Sequence, residues 1–163
     1  MRKEGCFVKS LWKGLVVFLF LVLGFSFPAF GASLNLGEAT GAPGSDVAIP
    51  ITLVTGGLQI ASAANDIAFN TSLLENPRAA IGPAGTGAGK FVVSSSPSPG
   101  VFRVGVVGFN TNSMSDGVVA NVTFKIKDTA PCGDKALGNT PSASNPGGNP
   151  VSITGNNGVI HIP

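Results

Sequence analysis

The sequence predicts an all-β sandwich of eight or nine strands, and three observations carry that prediction. Beyond Ala32 no long stretch holds a helical period. Gly, Pro, Ser, Thr and Asn punctuate the text every ~8–12 residues, the spacing of short strands and their turns. From Val118 to Ile126 every second residue is apolar (Val118, Ala120, Val122, Phe124, Ile126), with Val119, Asn121, Thr123 and Lys125 between them. Strict period-two alternation marks a strand with one face on a core and the other in water.

Residues 1–31 stand apart from that fold. Arg2, Lys3, Lys9 and Lys13 make a basic start, and an apolar run from Leu15 to about Phe27 follows. Ala29 and Gly31 then supply small residues ahead of a cut before Ala32. This is the order of a secretory signal peptide, and its run is shorter than the ~18–20 apolar residues that span a bilayer. The expectation is a cleaved signal over 1–31 and one domain over 32–163. Secretion to the extracellular space or the periplasm follows, with no membrane span after cleavage.

Cleavage also changes the charge. The whole chain is net +2, with ten basic and eight acidic residues. Residues 1–31 hold four of the bases and Glu4, which leaves six bases, seven acids and a net −1 for residues 32–163. A nearly neutral domain offers no electrostatic footprint for nucleic acid. Cys6 leaves with the signal, so Cys132 has no partner in the chain. No disulfide framework or cysteine-based metal site can form. A buried, inert thiol is expected at Cys132, with an intermolecular bridge as the other reading.

The strands read as follows. "SLNLGEATG" opens the domain with Leu34 and Leu36, and "APGSD" is turn chemistry. "DVAIPITLV" places Val47, Ile49, Ile51 and Leu53 on one face; Pro50, which cannot donate to a ladder, argues for an edge strand or a bulge. In "LQIASAANDIAF", Ile67 and Phe69 face inward, while Ser62, Ala64, Asp66 and Ala68 face out. "NTSLLENP" reads as a short turn of helix or a tight loop whose Leu73 and Leu74 plug one end of the core. "GPAGTGAG" reads as a flexible loop. "KFVVSSS" and "VFRVGVVGFN" are strands, the second with Phe102, Val104 and Val106 inward and Arg103 and Gly105 outward. Asp116-Gly117 closes the turn into the alternating strand. "PSASNPGGNP" reads as a polar loop, and "VSITGNNGVIHI" as a closing hairpin around Gly155 to Gly158.

Catalytic chemistry is not visible, and no catalytic residue is assigned. Beyond the signal the one histidine is His161, inside a strand, and a lone strand histidine reads as structural. No Ser/His/Asp arrangement, H-E-x-x-H motif or phosphate-cradling loop can be assembled. Asp46, Asp66, Glu75, Asp116, Asp128 and Asp134 each sit like ordinary turn or surface acids, and no calcium loop of the D-x-[DN]-x-[DN]-G type is present. Beyond the signal five of the eleven phenylalanines remain, Phe69, Phe91, Phe102, Phe109 and Phe124, with no Tyr anywhere and no Trp after Trp12. The flat Trp or Tyr platform on which sugar rings stack is therefore missing.

The order of motifs resembles a cohesin domain. "GEATGAPGSDVAIPITL", "AANDIAFNTSLLE", "RVGVVGFN", "DGVVANVTFKIKDTAPCG" and "NGVIHI" follow one another as a cohesin's do, from about Leu34 to Ile162. The family's Y-D-P turn is Phe69-Asn70-Thr71 here, and "PSASNPGGNP" stands where the family has a regular strand. The resemblance implies a nine-stranded jelly-roll sandwich without catalysis or cofactor. It further implies that one sheet face binds a dockerin, a helical module that carries its own calcium on another secreted protein, in extracellular assembly or polysaccharide degradation. The small outward residues Ser62, Ala64, Asp66 and Ala68, extended by Arg103 and Gly105, are the expected partner-binding face. The alternatives are a carbohydrate-binding sandwich that takes polysaccharide, and a structural sandwich without a dockerin partner. A single module with no sorting motif before Pro163 fits an isolated adaptor or that structural sandwich.

Overall fold

The structure, a computed structural model, describes residues 31–163; the expected signal peptide, up to Phe30, lies outside them. Two sheets face each other. One has the strand order β11 (Ile153–Thr154), β1 (Ala32–Leu36), β3 (Asp46–Val54), β8 (Gly117–Ile126), β5 (Leu74–Ile81). The other runs β2 (Glu38–Thr40), β12 (Gly158–Ile162), β9 (Gly133–Ser144), β4 (Ser62–Ala68), β7 (Val101–Val107), β6 (Phe91–Ser98), with β10 (Pro150–Val151) branching from β9. Nine of these segments are five residues or longer, which meets the expected count. One short helix, α1 (Pro83–Gly87), links β5 to β6.

The alternation in the sequence becomes the core. Val47, Ile49, Ile51 and Leu53 of β3 and Leu34 and Leu36 of β1 are buried, and they face Ile67, Phe102, Val104, Val106, Leu137 and Ile160 of the other sheet. Phe124 is 0% exposed, its ring centroid 5.1 Å from that of the partly buried Phe69. Burying side chains of this size contributes about 1.5–3 kcal/mol each. The cluster therefore dominates the stability of a domain with so few charges.

Several expectations are corrected. Pro50 lies in neither an edge strand nor a bulge: β3 sits between β1 and β8, and the register slip falls just beyond, between Ile51 and Thr52. The missing N–H is tolerated because β1 ends opposite it. Its last register pair is Leu36 with Ile51, and Gly37 gives its own N–H to the Pro50 carbonyl (2.9 Å). The same slip inverts the first residues of β8. Val118, expected inward, is half-buried, while Val119 is 0% exposed and its carbonyl accepts the Gly82 N–H at 2.8 Å. "GPAGTGAG" contains α1 rather than a loop. Its Gly85 is packed so closely that an added Cβ would stand 2.9 Å from the Val119 carbonyl oxygen.

Three other segments differ from the expected elements. "LENPRAAI" is β5, an edge strand interrupted between Glu75 and Arg78, where Asn76 takes φ 50°. "PSAS" belongs to the long strand β9 and not to a loop; Pro141 lies beyond the reach of β12, which pairs only as far as Leu137. The closing segment is no hairpin. β11 pairs with β1 in one sheet, β12 pairs with β9 and β2 in the other, and Gly155–Asn157 crosses between them. Cys132 is exposed, contrary to the buried thiol expected, because it sits in the turn that precedes β9.

Candidate functional site

Residues that pair across neighbouring strands point to the same side of a sheet, so the register fixes the outer face of β9–β4–β7–β6. One row reads Ser142, Ala64, Gly105, Val93. The next reads Thr140, Asp66, Arg103, Ser95. Flanking them are Ser144 and Ser62 on one side and Gly138, Ala68 and Val101 on the other. All six residues expected on the partner-binding face, Ser62, Ala64, Asp66, Ala68, Arg103 and Gly105, therefore share it.

The two rows differ in kind. The first has almost no side chain above the backbone on β9, β4 and β7. Gly105 is itself buried, because the Val93 side chain leans over it; a Cβ there would meet Val93 Cγ2 at 2.9 Å. Gly105 thus contributes flatness rather than contact area, and Val93 supplies the surface at that point. In the second row Arg103 closes a two-pronged fork on Asp66, with Nε to Oδ1 and Nη2 to Oδ2 both at 2.6 Å. The fork holds the Asp66 carboxyl below its usual range and raises Arg103. Two parallel charge-assisted bonds fix the orientation of both groups. Between the rows, Ala64, Asp66, Arg103, Thr140 and Ser142 line a shallow depression of about 420 Å³.

Sequence reasoning did not find Thr140, Ser142 and Ser144, nor Phe91, Val93 and Ser95. The signal was present in both cases. "NTPSAS" alternates polar Thr140, Ser142 and Ser144 with the other parity, but its proline suggested a loop. The strand reading of "KFVVSSS" was correct, yet no outward face was drawn from it.

At the far edge of the same sheet His161 bridges three strands. Its Nδ1 lies 2.7 Å from Asp134 Oδ1 on β9 and its Nε2 lies 3.6 Å from Glu38 on β2. The Asp134 bond, with Glu38 adding to it, raises the imidazole pKa above its ordinary value. Among the described residues no group of three or more His, Cys, Asp or Glu is placed to hold a metal ion. No described helix is long and apolar enough to cross a membrane.

A two-sheet, mostly antiparallel sandwich with one open, small-residue sheet face defines the structural class. The cohesin-domain family model matches residues 32–162, and the chain belongs to that family. Solved cohesins share the fold. The sixth cohesin of scaffoldin B from Acetivibrio cellulolyticus, solved in complex with a Cel5 dockerin, superposes with a TM-score of 0.70 at 24% identity, covering 82% of this chain and 99% of that one. The OlpA cohesin of Clostridium thermocellum, solved with the dockerin Doc918, gives 0.70 at 12% identity, with 82% and 99% covered. A non-cellulosomal cohesin from the hyperthermophilic archaeon Archaeoglobus fulgidus gives 0.67 at 19% identity, with 82% and 91% covered. No curated protein matches the chain.

Proposed function

We propose that residues 32–163 form a secreted, non-catalytic module that binds a dockerin-type helical partner on the outer face of β9–β4–β7–β6, the calcium being carried by the partner. The observation that carries this reading is the row Ser142, Ala64, Gly105. Three adjacent strands lack long side chains there, so a helix can approach the sheet closely across β9, β4 and β7. The Asp66–Arg103 fork borders that row and presents fixed charge, which sets orientation and partner choice more than affinity. Family membership and the dockerin-bound cohesins named above support the same reading. Export rests on the signal-like order of residues 1–31.

Pull-down with residues 32–163 on proteins secreted by the source organism, with and without a calcium chelator, tests the proposal. The expected result is a partner retained only with calcium and lost to Ala64→Arg, which raises a long cation in the middle of the flat row. Retention unchanged by both the chelator and Ala64→Arg would refute it.

A further inference from the structure

Beside the flat row lies an apolar cluster. Phe91 and Val93 stand on the outer side of β6, in register with Val107 and Gly105, and are 38% and 47% exposed. Phe109, two residues past β7, is fully exposed, its ring centroid 5.4 Å from that of Phe91. Folding alone does not favour a phenylalanine in water, and one tilted contact with Phe91 covers little of it.

The segment around Phe109 is nonetheless held in place. Lys90 is 6% exposed, and its Nζ donates to both the Asn110 carbonyl (3.1 Å) and Asn110 Oδ1 (2.7 Å). Asn110 Nδ2 donates in turn to the Gly89 carbonyl (3.0 Å), and its Oδ1 accepts the Asn112 N–H (3.1 Å). Gly108 lets the lysine stem pass, since a Cβ there would stand 2.9 Å from Lys90 Cδ. A buried cation and a network of four hydrogen bonds thus fix the residue next to an exposed ring.

We infer that Phe109, Phe91 and Val93 form an apolar anchor at the edge of the docking face, pre-set by the Lys90–Asn110 latch, which takes an apolar side chain from the helical dockerin partner. The inference rests on the dockerin reading. Two arguments select that occupant. The cluster is continuous with the flat row, because Val93 is both part of the cluster and the cover of Gly105. Its area is also too small to hold a second copy of the chain by itself: three exposed side chains fall well short of the ~800 Å² per partner of a stable interface. Within a larger face, a rigid aromatic of this kind is a binding hot spot. The cluster carries no charge, Lys90 beside it in the chain is committed to Asn110, and Arg103 is committed to Asp66. The matching partner residue is therefore Leu, Ile, Met or Phe.

A displayed library of calcium-loaded dockerin modules, sorted on the wild-type domain, supplies the probe, and titration of the recovered clones supplies the readout. Phe109→Ala is expected to weaken binding roughly 30-fold or more, as loss of a hot-spot aromatic does. Phe109→Leu should retain most of it. Lys90→Met, which frees the segment without touching the ring, should weaken binding by about tenfold through lost pre-organisation and speed amide exchange over residues 108–112. Val54→Ser, an exposed apolar site in the other sheet, should change nothing. Melting temperature should be unmoved by Phe109→Ala, since the ring is fully exposed. Clones that lose Ala64→Arg but bind Phe109→Ala as tightly as wild type would overturn the anchor and leave the dockerin reading standing. A library with no binder to the wild-type domain would remove both. A dimer, detected by sedimentation and abolished by Phe109→Ala while dockerin binding is untouched, would make a second copy the occupant and overturn the inference.

Discussion

Asn65 stands on the inner side of β4 at 1% exposure, and neither its Nδ2 nor its Oδ1 has a hydrogen-bond partner. Its register neighbours, Pro141 and Val104, offer no side-chain donor or acceptor. A buried amide left unpaired costs about 1–3 kcal/mol, so Asn65→Val should raise stability by about 1 kcal/mol in urea unfolding. A loss of similar size would show that the amide is satisfied in solution. At this scale the sequence was readable wherever alternation was unbroken: Ser62, Ala64, Asp66 and Ala68 face out as their parity requires, and Asn65 faces in for the same reason. It was unreadable where a bulge intervened. The extra residue opposite Ile51 and Thr52 swaps Val118 for Val119, and both are valines, so no pattern distinguishes them. Cys132 is exposed because cysteine's preference for burial does not extend to a turn.

Most strands were legible by composition, including β3 with its internal Pro50, but two strands with an internal proline were not. β5 holds Pro77 and β9 holds Pro141, and a proline weakens a ladder unless one side of the strand is free. That condition is tertiary: β5 is at an edge, and β9 has lost β12 as a partner before Pro141 is reached. The crossover between sheets was equally hidden, since Gly155 to Gly158 is as good a hairpin turn as it is a bridge. What decides between them is Asn139, far away in sequence. Its Nδ2 donates to the carbonyls of Leu34 and Asn156, both at 2.8 Å, and its N–H is accepted by Asn157 Oδ1 at 3.0 Å. Asn139 thereby joins β9 and β1 to the crossover strand connection. Asn139→Ala should cost about 2 kcal/mol, two side-chain bonds at about 1 kcal/mol each, and amide exchange should rise first over residues 153–158. A uniform rise across the domain would place the residue outside the crossover's support.

For the molecule as a whole, the few charged contacts set how stability varies with pH. Arg103 holds the Asp66 carboxyl below its usual range, and the hydroxyl and N–H of Thr55 do the same for Asp116. Each contributes stability that is present above the unfolded value near ~3.9 and is lost as pH falls through the lower folded value. His161 acts in the opposite sense. Asp134 first, and then Glu38, raise its pKa above 6.5, so its contribution is complete below about pH 6.5 and disappears as pH climbs through the raised folded value. With a net charge of only −1 on residues 32–163, general self-repulsion adds little over this range. Melting temperature should therefore peak between about pH 4 and 6.5 and fall on either side. These groups are exposed, so both slopes should be shallow. Asp134→Asn isolates the alkaline one, because it removes the principal partner of His161 and leaves Asp66 and Asp116 untouched. The imidazole resonances of His161, the chain's one histidine, report the same event directly. They should titrate above ~6.5 in the wild-type domain and move down toward that value in Asp134→Asn; a wild-type midpoint at or below ~6.5 would sink the account of the alkaline slope.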